Sequence, residues 1–212
     1  MANNLAVPVP NEPGALFIPA LGRKIKMVEW REDDFYDSVL QASGAISAGT
    51  SLEFFRDLSN KNLQHTNLRT ARRIPAGSEF IMARLGVLIA QAVGETLATD
   101  DDTLVVAYAG SLTFKLNDRL ISEGMLVKYQ TGIGVTGSTT RTGTGVVTLG
   151  VPSAAAAPSL MVAQPVSDTD DLMGTVDFKS ATWISGYSTP TLTNAVLFTI
   201  MLHGFIKKPQ GK

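Results

Sequence analysis

Residues 104–116 read LVVAYAGSLTFKL, and this stretch decides the fold class. Leu104, Val106, Tyr108, Leu112, Phe114 and Leu116 share one parity, while Ser111, Thr113 and Lys115 take the other. A period of two places one apolar and one wet face on an extended strand. The pattern predicts a long strand over 104–116, bent or broken at Gly110, where a missing side chain weakens the pleat.

Outward from this segment the same period recurs. Strands are expected at Leu52–Asp57, Glu79–Gln91, Leu120–Tyr129, Val146–Val151, Ser159–Gln164, Leu172–Lys179, Ala181–Tyr187 and Asn194–Ile206. Turn chemistry separates them: Pro75-Ala76-Gly77, Thr99–Asp102, Asn117-Asp118, the glycine-rich 131–145 stretch, and Pro152, Pro158, Pro165 and Pro190. Strands so spaced, with no helices between them, imply an antiparallel all-β sandwich or barrel.

Two segments break the pattern. Residues 1–30 carry Pro8, Pro10, Pro13 and Gly14 among small residues and read as an extended N-terminal arm. Over 32–43, acids Glu32, Asp33 and Asp34 precede Phe35, Tyr36, Val39 and Leu40, and Gly44 follows. First-turn acids, an apolar face and a terminal glycine predict a short amphipathic helix. Residues 31–208 then form one domain, with 209–212 as a tail.

Composition removes several function classes. The 212 residues are 44% hydrophobic and 17% charged, which is globular rather than disordered, and the formal charge of −1 supplies no global field for nucleic acid or anionic lipid. The absence of cysteine excludes disulfides, thiol catalysis, iron–sulfur clusters and thiolate zinc sites. The start MANNLAVPVPNEPG lacks the basic and apolar regions of a secretory signal, and no apolar run reaches the roughly 18 residues of a spanning helix.

The motifs that could carry chemistry lack the context they need. Gly132-Ile-Gly134-Val-Thr-Gly137 spells a dinucleotide fingerprint but leads into Ser-Thr-Thr-Arg-Thr-Gly rather than a helix, so a loop is expected. Asp57, Ser59 and His65 are triad residue types crowded together without a nucleophile elbow. Asp100–Asp102 and Asp168, Asp170 and Asp171 lack the pattern of a calcium loop and read as solvated turns. With His65 and His203 as the only histidines, a His-rich metal site is impossible. No catalytic, metal or cofactor residue and no small-molecule substrate is assigned, and the chain is not expected to be an enzyme. The densest basic region, Arg69, Arg72 and Arg73, is a candidate contact for a genome or an internal membrane, or a set of cations paired with acids.

The last strand carries apolar residues on both parities. Val196, Phe198, Ile200, Leu202 and Ile206 share one face, and Leu197, Met201 and Phe205 the other. Such a strand needs cover on both sides, from the chain itself or from a neighbouring copy. With the arm and the basic Ile206-Lys207-Lys208 end, this favours assembly over catalysis. The interface candidates are Pro8, Pro10, Pro13, Trp30, Phe35, Tyr36, Met201 and Phe205.

Glu29–Tyr36 (EWREDDFY), Gly49–Phe55 (GTSLEFF), Thr66-Asn67-Leu68 and Ile74–Phe80 (IPAGSEF) together resemble the N-terminal part of jelly-roll capsid proteins of tailless icosahedral bacteriophages, over about residues 28–92. The resemblance implies a jelly-roll subunit of about eight strands, copies of itself in trimers or capsomers and other virion proteins as partners, and a place in the virion shell. Nine strand candidates suit a single roll. The competing expectation, from another class, is a receptor- or carbohydrate-binding module of a spike or fibre, with Trp183 or Tyr187 exposed to ligand.

Overall fold

A computed structural model describes residues 7–19, 22–26, 28–91, 106–130, 157–178, 191–192 and 194–207. They form an antiparallel all-β sandwich. The strands are β1 (Val7–Pro8), β2 (Ala15–Ile18), β3 (Arg23–Lys26), β4 (Trp30–Gln41), β5 (Gly44–Ala45), β6 (Thr50–Phe54), β7 (Glu79–Gln91), β8 (Ser111–Leu116), β9 (Arg119–Met125), β10 (Ser159–Ser167), β11 (Leu172–Phe178), β12 (Thr191–Leu192) and β13 (Val196–Lys207).

Two four-stranded sheets make the sandwich, in the orders β10-β7-β13-β4 and β6-β11-β8-β9. Among these strands, taken in chain order, the first pairs with the last (β4 with β13), the second with the seventh (β6 with β11), the third with the sixth (β7 with β10) and the fourth with the fifth (β8 with β9). A long hairpin wound around itself produces this nesting, which is the double Greek key of a jelly roll.

The core lies between the sheets because inward positions alternate strictly with outward ones. On β11 every second residue is buried: Leu172, Gly174, Val176 and Phe178. Phe178 meets Phe198 of the opposite sheet edge to face at 6.1 Å, and Phe35–Phe80 and Phe55–Phe114 pack the same way at 5.0 and 6.3 Å. Gly174 keeps the sheets close, since a Cβ there would lie 2.7 Å from Ile200 Cδ1.

The segment expected to be a helix over 32–43 is strand β4 instead, paired along its whole length with β13. Phe35 is buried between the sheets, and Asp34 and Asp37, poor strand formers, find partners from elsewhere in the chain. Tertiary pairing thus overrides the local pattern. The short helix lies instead within 104–116: Val106–Ala109 form one helical turn, in which Gly110 N–H donates to Val106 O at 2.9 Å, and strand β8 begins at Ser111. Gly110 does mark the break, and a Cβ there would sit 2.4 Å from Leu126 Cδ1.

From Val7 onward the expected arm is folded. Strands β1, β2 and β3 pair into a three-stranded meander, with Pro8 on an edge strand that can spare an amide. Its Ile18 and Ile25 are buried. The expected strands at 146–151 and 181–187, the 131–145 loop, the 209–212 tail, Trp183 and Tyr187 lie outside the described residues.

Candidate interaction surface

The outward face of the β10-β7-β13-β4 sheet divides into halves that differ in cover. Register aligns its outward side chains in rows: Glu32, Phe205 and Ile81; Asp34, His203 and Arg84; Tyr36, Met201 and Gly86; Ser38, Thr199 and Leu88; Leu40, Leu197 and Ala90. At one end Trp30, Ile81, Phe205 and Ala163 pack with Leu16, Ile18 and Ile25, so the meander forms a second, smaller hydrophobic cluster over this half. The second cover that β13 requires is therefore supplied there by the chain itself.

A polar row follows. His203 Nδ1 and Asp34 Oδ1 share a 2.7 Å hydrogen bond, and Nε2 of this buried imidazole has no partner among the described residues. Beyond this row the meander stops. Tyr36, Leu88, Ala90, Leu197 and Met201 are half-buried, Leu40 is 54% exposed, and Ser38 and Thr199 bond each other at 2.8 Å in the middle of the strip.

The loop after β6 walls this open half. Asp37, fully buried, accepts Lys61 Nζ at 2.8 Å on both carboxylate oxygens and Phe55 N–H at 2.7 Å. Tyr36 O–H donates to Leu63 O. Asn67 spans the edge of β4, accepting Tyr36 N–H at 3.1 Å and donating to Asp34 O at 2.6 Å, so a side-chain amide stands in for a neighbouring strand. Phe55 and Asn60 hold positive φ of 65° and 60°, a costly conformation for residues with a Cβ, above all for an aromatic one. Between loop and sheet lies a groove of about 620 Å³, with Val39, Leu40 and Leu197 as its apolar lining and Glu53, Asp57, Asn60, Lys61, Gln64 and His65 as its polar one. Leu63, at the loop tip, is 77% exposed.

The sequence candidates fall out as follows. Trp30 and Phe35 are buried by the chain's own residues and serve its two clusters rather than an interface. Pro8, Pro10 and Pro13 are exposed on the meander, Phe205 lies against the covered cluster, and Tyr36 and Met201 stand together on the open half. Ser59 donates to Asp57 from both its hydroxyl and its amide, at 2.6 and 2.8 Å, while His65 Nδ1 accepts Asn62 N–H, so no serine–histidine contact forms. Those two Ser59 bonds, with help from the Lys61 charge and against a smaller opposing effect of burial, hold the Asp57 carboxyl below its ordinary range.

Arg73 of the basic region, and two cations near it, are ion-paired within the chain. Arg73 lies 3.6 Å from Asp171, Arg56 pairs with Glu53, and Lys61 is held by Asp37. Arg72, at φ 63°, splices two strands through its backbone: its amide donates to Phe55 O and its carbonyl accepts Leu172 N–H. Asp168 and Asp170 accept hydrogen bonds from Gly77 N–H and from Ser167, as turn-building acids do. The Gly132–Gly137 motif and Asp100–Asp102 lie outside the described residues.

Sequence reasoning missed Leu40, Leu63 and the groove. Leu40 was assigned to a helix face; counted on the parity of β4 opposite to Phe35, it belongs to the outward row with Leu197. No protein-family model matches the chain, and no curated relative matches it.

Proposed function

We propose that this chain is a structural subunit that assembles with copies of itself into the icosahedral shell of a bacteriophage. The observation that carries the reading is the nested strand pairing, first with last through fourth with fifth, which is the jelly-roll winding shared by viral capsid subunits, lectins and cupins. The partly covered outer sheet face, where Leu40 is exposed, supports this reading, since a neighbour would shelter it. The exposed prolines of the meander are further ties to neighbours in this reading, and the virion is its location.

Light scattering and negative-stain microscopy of the purified protein test it. Capsomers or closed shells are expected. A protein that stays monomeric up to millimolar concentration, and is absent from particles produced alongside it, overturns the proposal.

The second reading is a receptor- or carbohydrate-binding module of the virion. Its support is the polar lining of the groove, where Asp57, Asn60, Gln64 and His65 stand beside apolar Leu40 and Leu197. Binding on a glycan array, lost in Asn60→Ala or Gln64→Ala, is its test.

A further inference from the structure

We infer that the opening between strands β9 and β10, the edge strands of the two sheets, is a binding site for a small amphipathic carboxylate, a single anionic head on a short apolar body. Three observations carry this, and none of them depends on the shell reading.

The first is the shape of the two edges. Strand β10 spends five residue steps from Ser159 to Gln164 while β7 spends two from Arg84 to Met82, and β9 carries one extra residue, Ile121, between the partners of Phe114 and Lys115. Bulges bend a strand and re-aim its side chains at the expense of ladder bonds. Where the two bent edges face each other lies a cavity of about 360 Å³, with Leu85, Ile121, Leu160 and Val162 as apolar walls. That volume falls within the roughly 300–1,000 Å³ of small-molecule sites. Leu85 belongs to the main core, and Ile121 and Leu160 pack against it, so the floor of the cavity is continuous with the core. At Gln164, which lines the cavity, Arg119 of β9 donates to Oε1 at 2.6 Å and ties the two edges together.

The second is a pair of hydroxyls turned inward. Ser122 pairs with Phe114, which is fully buried, so their side chains share the face that meets the core. There Ser122 Oγ and Tyr129 Oη, both at the cavity, lie 2.8 Å apart. Two O–H groups share one hydrogen bond, so one hydrogen is left to donate, and among the described residues nothing accepts it. An anionic oxygen in the cavity would.

The third is charge. Lys128 is the one charged residue among those lining the cavity, and no carboxylate of the described residues pairs with it. Its Nζ lies 5.2 Å from the centre of the Tyr129 ring, whose face holds an ammonium beside the hydroxyl pair. One ammonium and one spare hydroxyl donor match a single negative charge, and the apolar walls match the body behind it. A cationic head would be repelled, and a neutral one would leave the ammonium without a counter-charge.

The test titrates the full chain with octanoate, octanol and octylammonium, each below its micelle concentration, by calorimetry and by amide shifts in NMR. Octanoate is expected to saturate with a Kd below about 1 mM, to shift amides within 121–129 and 158–164, and to bind at least about tenfold more tightly than the other two. Three variants, each shown to be folded by thermal unfolding, locate the site. Lys128→Gln, at an exposed position, is expected to weaken octanoate at least about fivefold. Val162→Trp fills the cavity from a half-exposed position and is expected to abolish binding, whereas Lys115→Gln, on the outward face of β8, is expected to bind like the parent. No saturable binding of octanoate, octanol bound as tightly as octanoate, or parental affinity in folded Lys128→Gln or Val162→Trp overturns the inference. The three-ligand comparison on the parent needs no variant, and none of these readouts concerns assembly.

Discussion

Single atoms decide how tightly this sandwich closes. At Gly204, where β7 carries one extra residue, an added Cβ would lie 2.0 Å from the carbonyl oxygen of Ile81. That oxygen belongs to backbone and cannot rotate away, so Gly204→Ala is expected to cost about 2–4 kcal/mol in a urea titration, against less than about 0.5 for an alanine on the open surface. Asp37 makes a different demand. Lys61→Met would leave its buried carboxylate with only the Phe55 amide, a loss of about 3–5 kcal/mol, whereas replacing both partners by apolar residues is expected to recover most of it. Asp170 links stability to acid. Burial pushes its carboxyl up, but hydrogen bonds from the Ser167 amide, Asn117 and the Ser167 hydroxyl, with the Arg119 charge, together hold it below the ordinary range. A group depressed in the folded state stabilises above its unfolded pKa and loses that contribution as pH falls through the folded value. Unfolding measured from pH 6 down to pH 2 is expected to show a shallower acid loss in Asp170→Asn than in the parent.

At the scale of elements, β4 is the informative strand. Its free edge is satisfied from Asp34 to Tyr36 by the Asn67 amide rather than by another strand. Asn67→Ala is expected to speed hydrogen exchange at the Tyr36 amide at least about tenfold, with little change at β13 amides bonded inside the sheet, as read by exchange mass spectrometry or NMR. The same strand shows where sequence legibility ends. Strand β7 spans the Glu79–Gln91 expected from its pattern, and β11 and β13 differ from expectation by a residue or two, because their inward positions are apolar and their neighbours are turn formers. β4 resists such reading because Asp37 occupies an inward site and is satisfied by Lys61, 24 residues away in sequence. The meander was hidden for another reason. Leu16, Ile18 and Ile25 alone mark its inner side between prolines and cations, and the surface they cover, Ile81 and Phe205, lies far along the chain. Long-range pairing of this kind leaves no local periodicity to read. The groove is less legible still, since its walls meet only when β4, β13 and the 55–66 loop are placed together.

For the whole molecule the decisive fact is that β13 lies between β4 and β7, paired along all 12 of its residues with each. It supplies Val196, Phe198, Ile200, Leu202 and Ile206 to the main core. A chain stopped at residue 195 is therefore expected to give no cooperative thermal transition and a poorly dispersed amide spectrum. Every strand of this sheet meets its neighbour across a long stretch of sequence, a topology that folds slowly because loop entropy is lost before contacts form. During synthesis the gap between β4 and β7 stays open until residue 207 has left the ribosome, and the outward rows do not exist before then. A chain in which β13 has not yet docked therefore presents none of these outward rows on its surface.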